Sequence, residues 1–464
     1  MGRARTVFRY YSLVPDSHFP DAFIGPVTGL SIPLQEDDLM RKTASICFVF
    51  MVIFLASLYL PMLYSKIFFD DIEKTHLFYS PVAKDFIFKE RVVGPIPDAV
   101  REKAEDHHAS ISYQKSNGEY ISRVEFEKLL PFIFYKNMEI WGLLPLELDN
   151  QTFTKSRIKQ NRRVLELKSE YIFGNGPQTK VWPLLESNPG QARLVFPDDR
   201  FRMTDSAMEF INADINRVDP VLTEKFTSAL KENGFVFPAR SVNGKFTVLK
   251  PFDEGVFIVD NQYQVFHVKR VDSQPQVTKT PMDPSLKTRH IQVSENKKRL
   301  YYGMLLDGAG NIFLLSYDNY HLTPLPLKNY DPDRMDLKLI FNPLYVTAVY
   351  SDHEQIYAVA MDSSFGFIDE FSHRMSRSNV TLAKKVYRAV FPFSFSFDTH
   401  SSGFLTLGFE CNGFAGIWGI LACILIYIVK NRIIRRRTRV LPALMIAFTG
   451  IYGFAAVAMT GVDD

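Results

Sequence analysis

TASICFVFMVIFLASLYLPMLY, residues 43–64, decides how the rest of the chain is read. It carries no charged side chain. As a helix rising ~1.5 Å per residue it is long enough to cross a hydrocarbon core of ~30 Å. A long arm of mixed and polar residues precedes it, which is not the layout of a cleavable leader. The stretch is therefore expected to stay in a membrane as an anchor. The arm 1–42 then lies on one side, and the body that begins at residue 65 lies on the other.

Two more apolar stretches lie near the other end, GFAGIWGILACILIYIV at 413–429 and LPALMIAFTGIYGFAAVAM at 441–459. The short loop between them holds Lys430, Arg432, Arg435, Arg436, Arg437 and Arg439. Short loops this basic stay on the cytoplasmic side, where they can touch anionic lipid or a cytoplasmic partner. Arg3, Arg5, Arg9, Arg41 and Lys42 sign the arm in the same way. Asp70, Asp71 and Glu73 follow the first stretch, and Asp463 and Asp464 follow the third, so these flanks are expected on the opposite side. The predicted map is a cytoplasmic arm (1–42), a first span (43–64), an ectodomain (65–410), a second span (411–429), a basic cytoplasmic loop (430–440), a third span (441–460) and an outer tail (461–464).

Gly413, Gly416 and Gly419 in the second span, and Ala443, Ala447 and Gly450 in the third, sit at spacings that let helices approach closely. They are expected to pack the two spans together or to receive another membrane protein. No span holds Asp, Glu, Lys, Arg or His, the groups an ion path or proton relay needs, which argues against a pump or channel formed by this chain alone.

Composition agrees with a folded body on a few spans: 46% hydrophobic, 23% charged, net charge +3, with 40 Phe and 21 Tyr. The three cysteines, Cys47, Cys411 and Cys423, lie in or beside apolar stretches, so the ectodomain must hold together without disulfides. That suits a bacterial periplasm better than an animal cell surface.

Within the ectodomain, SPVAKDFIFKERVV alternates as a strand does. PDAVREKAEDHH reads as a short helix begun by Pro97, and residues 123–141 read as two short helices broken at Pro131. FTSALKEN (226–233) reads as another helix. From about residue 165 the texture turns to β. Four stretches share an apolar run, an Asp, a polar turn and a Phe-containing run, with Asp205, Asp260, Asp307 and Asp362 in the turns. Each reads as a hairpin whose Asp bonds the turn backbone. A hairpin unit recurring every ~40–50 residues predicts propeller blades. The fold class expected is α+β: three transmembrane helices plus a large β-rich, propeller-like periplasmic domain with inserted helices.

Metal binding and catalysis are not expected. Glu105, Asp106, His107 and His108 are neighbours on a helix, pointing ~100° apart, and converge poorly on one ion. The turn aspartates supply one carboxylate each, where a calcium loop needs several. G-x-S-x-G, H-E-x-x-H, the P-loop and a dinucleotide fingerprint are all missing. No cofactor and no nucleic-acid partner are expected.

Several strings carry a resemblance: LFYSPV (77–82), LLPFIFYKNMEIWGLLP (129–145), VWPLLES (181–187), VFPDDRFRM (195–203) and KPFDEGVFIVD (250–260) followed by QVFHVK. Together they resemble an uncharacterised bacterial family of membrane-anchored proteins, a domain of unknown function. Its members resemble products encoded beside ABC-transporter ATPase and permease subunits. The resemblance implies a non-catalytic accessory subunit of a transport complex in the bacterial inner membrane, with ABC permease and ATPase subunits as partners. Two rivals remain at this point: a stand-alone membrane-anchored ligand-binding or sensor module, and a periplasmic hydrolase.

Overall fold

The computed structural model describes residues 34–70, 72–103, 110–399, 403–434 and 438–460, with backbone alone at 34–42 and 460. The first thirty-three residues of the arm, Asp71, the Glu105–His108 run, Arg435, Arg436, Arg437, Asp463 and Asp464 lie outside the described residues.

All four Asp-centred stretches form antiparallel hairpins. They pair Asp199–Met203 with Met208–Asn212, Val256–Val259 with Val265–Val271, Tyr301–Leu306 with Ile312–Ser316, and Gln355–Met361 with Phe367–Arg374. In the last three the aspartate shapes the turn. Asp260 Oδ1 accepts from the N–H of Gln262 and Gln264, both at 2.8 Å; Asp307 Oδ1 does so from Ala309 and Asn311; Asp362 Oδ1 does so from Ser364 and Gly366. The first hairpin departs from the pattern: Asp205 is exposed, and Thr204 Oγ1 accepts from Ala207 N–H at 3.1 Å instead. A hydroxyl two atoms from the backbone can close the turn as a carboxylate does.

The hairpins grow into sheets that stack face to face. The sheet at 241–279 is apolar on both faces, and Val256–Val259 is buried at every position. One face, with Val256, Ile258, Phe266 and Val268, packs on Phe201 and Phe210 of the 199–219 sheet. The other, with Phe257, Val259 and Val265, packs on Leu305 and Leu315 of the sheet at 290–324. That sheet turns Met304, Leu306 and Leu314 onto the five-stranded sheet at 336–374, which Arg163–Leu167 completes at one edge. The five-stranded sheet in turn presents Ile356, Ala358 and Ala360 to Leu77, Tyr79, Phe86 and Phe88 of the sheet at 76–115. Each fully buried Phe or Leu in these layers is worth ~1.5–3 kcal/mol of removed apolar surface.

The propeller expected from the repeat is corrected here: the stack is open and the sheets close into no ring. The two terminal faces explain why. Of α1 (Leu34–Phe68), α2 (Asp98–Lys103), α3 (Arg123–Leu129), α4 (Tyr135–Ile140), α5 (Lys155–Asn161) and α6 (Pro220–Glu232), α3 covers one of them, burying Phe126 against Ile87. At the other end the outer face of the 199–219 sheet carries Arg200, Arg202 and Glu209. There α6 buries Phe226 and Leu230 on the inner face, in the core that Phe210 shares with the sheet at 241–279. Neither terminal face offers the apolar surface that closure would need. α6 begins six residues before the stretch 226–233 that reads as helix, with Pro220 in its first turn and Asp219 Oδ1 accepting from Val221 and Leu222 N–H at 3.0 Å.

Past the five-stranded sheet the chain forms α7 (Leu382–Val390), a hairpin of Phe393–Thr399 with Leu405–Cys411, and then α8 (Gly416–Ile433), α9 (Val440–Thr449) and α10 (Ile451–Thr460). Among the described residues two helices are long and apolar enough to cross a membrane, Thr43–Phe68 and Gly413–Ile433. The first is continuous with helix from Leu34, so the end of the arm is helical rather than extended.

The third stretch is not one span, which corrects the three-span expectation. At Gly450 the backbone takes φ 59°, ψ −127°, a conformation nearly restricted to glycine, and the helix stops. A Cβ placed on Gly453 would lie 2.7 Å from the carbonyl oxygen of Met445. In a straight helix residues eight apart are separated by ~12 Å. α10 is therefore folded back against α9. Each half is ten residues, ~15 Å long, about half a hydrocarbon core.

Candidate functional site

The string KPFDEG, residues 250–255, builds an ionic centre between the sheets at 241–279 and 290–324. Gly255 has φ +71°, and a Cβ there would stand 2.2 Å from Val268 O, so only glycine lets the chain press against the neighbouring strand. This turn brings Lys250, Asp253 and Glu254 inward. Lys250 Nζ lies 2.6 Å from Asp253 Oδ1 and 2.7 Å from Glu295 Oε1, and all three side chains are buried. Asp253 Oδ2 accepts from Ser187 Oγ and Gly255 N–H at 2.9 Å each. Glu295 Oε1 also accepts from Glu254 N–H at 2.8 Å, while its Oε2 is buried with no hydrogen-bond partner. Burial raises the Glu295 pKa against the pull of Lys250.

Beside it, Glu254 takes an ion pair from Lys269, and its carbonyl meets Nε2 of the buried His267. A carbonyl can only accept, so Nε2 carries the proton and Nδ1 accepts from Tyr320 Oη at 2.9 Å. Phe257 stacks on the imidazole at 4.3 Å, and Tyr302 stacks on Tyr317 at 3.8 Å beyond it. Tyr320 is also part of the wall of a surface pocket of about 620 Å³ between Pro281 and Leu322. Burial lowers the His267 pKa to about 3 and that of His290, in the next sheet, to about 4.

Both histidines therefore fold neutral. Their contribution is fully present above the ordinary value near 6.5 and is lost as pH falls from there toward about 4 and about 3. Each adds a slope of up to about 1.4 kcal/mol per pH unit in that window. Glu295, with its raised value, has the opposite sign: its contribution is present below its ordinary value of 4.5 and is lost as pH rises above it. The double variant His267→Gln/His290→Gln is expected to flatten the dependence of melting temperature on pH between 6.5 and 4. An unchanged slope would show that both imidazoles are charged in the fold.

A second arrangement joins this body to the apolar helices. Glu90, nearly buried, accepts from Thr75 Oγ1 and Ser376 N–H at 3.0 Å and pairs with His373 Nε2 at 3.1 Å. Burial opposes its charge, but the bonds from His373 and Ser376 outweigh that and hold its pKa below the usual value. Thr75 follows α1 and Ser376 precedes α7, so one carboxylate clasps both chain segments that lead to the apolar helices. α7 then lies on α1 through Tyr64, whose ring meets Tyr387 at 5.8 Å and Phe391 at 5.7 Å.

Of the small residues singled out in the sequence, Gly416 and Gly419 are points of close approach. A Cβ on Gly416 would lie 2.6 Å from Pro392 Cα, and one on Gly419 would lie 2.3 Å from Ala389 O. The glycine stripe receives the end of α7, not the third apolar stretch. Gly450 turns the α9–α10 hairpin, with Pro392 and Ile420 side chains 3.2 Å from where a Cβ would be. Ala443 packs beside Cys423, Tyr427 and Ile446, and Ala447 is half-buried. Gly413, with φ +57°, precedes α8 and has open space around it. Of the basic loop, Lys430, Arg432 and Arg439 are exposed. Among the described residues no group of three or more His, Cys, Asp or Glu could hold a metal ion.

Sequence reasoning quoted the KPFDEG string but missed its ionic centre. Glu295, which completes it, stands far along the chain, and only a Lys beside two acids hinted at it. Glu90 gave no signal at all, being one of many strand glutamates.

These elements coincide with a known family. The model for DUF4857, a domain of unknown function, matches residues 76–361, from the first strand of the terminal sheet to the end of Gln355–Met361. The chain belongs to this family. The DUF4857 match contains the ionic centre and Glu90 and stops before α7. A solved structure from Bacteroides fragilis NCTC 9343, whose name marks it as a candidate exported protein, is similar at 10% identity over 52% of this chain and 81% of its own. Its TM-score of 0.15 is too low to carry a comparison of folds. No curated protein matches the chain. The resemblance to a family of unknown function is thus met, and these comparisons contain no link to ABC transporters.

Proposed function

We propose that this DUF4857 protein is a non-catalytic, membrane-anchored subunit of a transport assembly of the ABC type, in the inner membrane of a bacterium. The arm and the basic loop face the cytoplasm, and the stacked sheets face the periplasm. The observation that carries this reading is the Glu90 clasp, together with α7 packed between α1 and α8. A module that merely holds a ligand works on a loose tether. Here the body and its anchors are fused by buried contacts, so movement of one is movement of the other, as a transport partner requires. The positive charge at Lys430–Arg439 supplies orientation and a face for a cytoplasmic partner.

Affinity purification of the full chain in a mild detergent is expected to bring down an ATPase and a permease subunit. Recovery of the chain alone would end this reading. The pocket beside Tyr320 supports a second one, a stand-alone binding module. That reading requires a ligand to raise the melting temperature of the isolated protein with no other subunit present.

A further inference from the structure

The hairpin of Phe393–Thr399 and Leu405–Cys411 sits where an isolated hairpin should not be. Ring contacts trace the descent of the chain along α1: Tyr387 lies 5.4 Å from Phe69, Phe391 lies 5.7 Å from Tyr64, and Phe395 lies 5.4 Å from Phe54. From Tyr64 to Phe54 is ten residues of helix, ~15 Å, which brings the first strand to the middle of the apolar run 43–64. The register gives the hairpin two unlike faces. Phe393, Phe395, Phe397, Leu405, Leu407 and Phe409 share one, which packs on Phe54 and on Tyr452 of α10 and is otherwise exposed. Ser396, Asp398, Thr406 and Glu410 share the other with Ser394, which is itself buried beside Tyr387 of α7.

Lipid can cover the apolar face. It cannot cover the other face, nor the two outer strand edges, because hydrocarbon offers nothing to unpaired backbone groups or to carboxylates. Asp398 and Glu410 are exposed, and no cation among the described residues bonds either of them. A second copy of this chain could pair a strand edge, but its apolar stretches 43–64, 413–429 and 441–459 hold no Lys, Arg or His to answer the two carboxylates.

We propose that the polar face of this hairpin is the docking surface for a transmembrane segment of a different membrane protein, one that presents amino, guanidinium or amide donors to Asp398 and Glu410. This rests on the membrane reading given above and names where the partner binds. The test uses the full chain in the membranes of cells that produce it, with a photo-crosslinking side chain in place of Ser396 or Thr406, and in place of Phe397 as the lipid-facing control. Ser396 and Thr406 are expected to crosslink to an apolar segment of another membrane protein that contains Lys, Arg, His, Asn or Gln. Phe397 is expected to label lipid. Asp398→Lys with Glu410→Lys should cut the crosslink at least tenfold. Asp398→Asn with Glu410→Gln, which keeps shape and folding, should cut it several-fold. Crosslinks from the polar face to lipid or to a second copy, or yields indifferent to both double variants, would overturn the proposal. If an ATPase and a permease still co-purify in that case, only this surface is wrong. If the chain purifies alone, the transport reading has failed as well.

Discussion

Replacing Lys250 by methionine is expected to lower the stability of the ectodomain by about 3–5 kcal/mol, the cost of leaving buried carboxylates without their cation. Asp253 and Glu295 are both within 2.7 Å of Lys250 Nζ, and their side chains are 3% and 0% exposed, so water cannot replace the ammonium. One oxygen of Glu295 already lacks a partner. Methionine fills the volume of the lysine stem, so the loss is electrostatic rather than a cavity. For a body of this size the melting temperature should fall by roughly 5 °C, measured on the full chain in detergent. Adding Glu295→Gln to Lys250→Met should recover part of the loss, because one of the stranded charges is then gone. A single variant as stable as the parent would mean that the cluster is hydrated and open. That result would reopen the ionic centre as a ligand site.

The second large effect concerns which side of the membrane each residue meets. α9 leaves the basic loop and α10 returns alongside it, so Leu441 and Met459 lie at the same end of the helical hairpin. In a variant without Cys47, Cys411 and Cys423, Leu441→Cys and Met459→Cys should react with a membrane-impermeant maleimide only after the cytoplasmic side is opened. A straight third span would make Met459→Cys reactive from outside in intact cells. The outcome is all or none, and it decides between two spans with a helical hairpin and the three spans that hydropathy suggests.

Much of the β architecture was legible because its signals are local. Asp260, Asp307 and Asp362 bond backbone within four residues of themselves, so sequence alone places their hairpins. The start of α6 carries a local signal too, Asp219 before Pro220, although the reading of 226–233 as helix begins six residues after it. What was not legible depends on distant or chiral detail. Whether the sheets close into a ring depends on what the two end faces carry, Phe126 over one and Arg200, Arg202 and Glu209 on the other, and nothing near those residues says which face is outermost. The third apolar stretch has the composition of a span, and only the dihedral angles at Gly450 break it. The polar residues of the hairpin beside Phe54 have no signal in the hydropathy pattern because they belong to strands before the second apolar stretch, not to the stretch itself. Close approach occurs at Gly416 and Gly419, but spacing cannot say what approaches.

Glu90 has a mechanical meaning. Because it binds the segments after α1 and before α7 at one end of the stack, both links to the apolar helices enter there, and the sheet at 199–219 with α6 stands at the other end of the series. A tilt of α1 against α8 therefore reaches that last sheet only through the packed sheets between them.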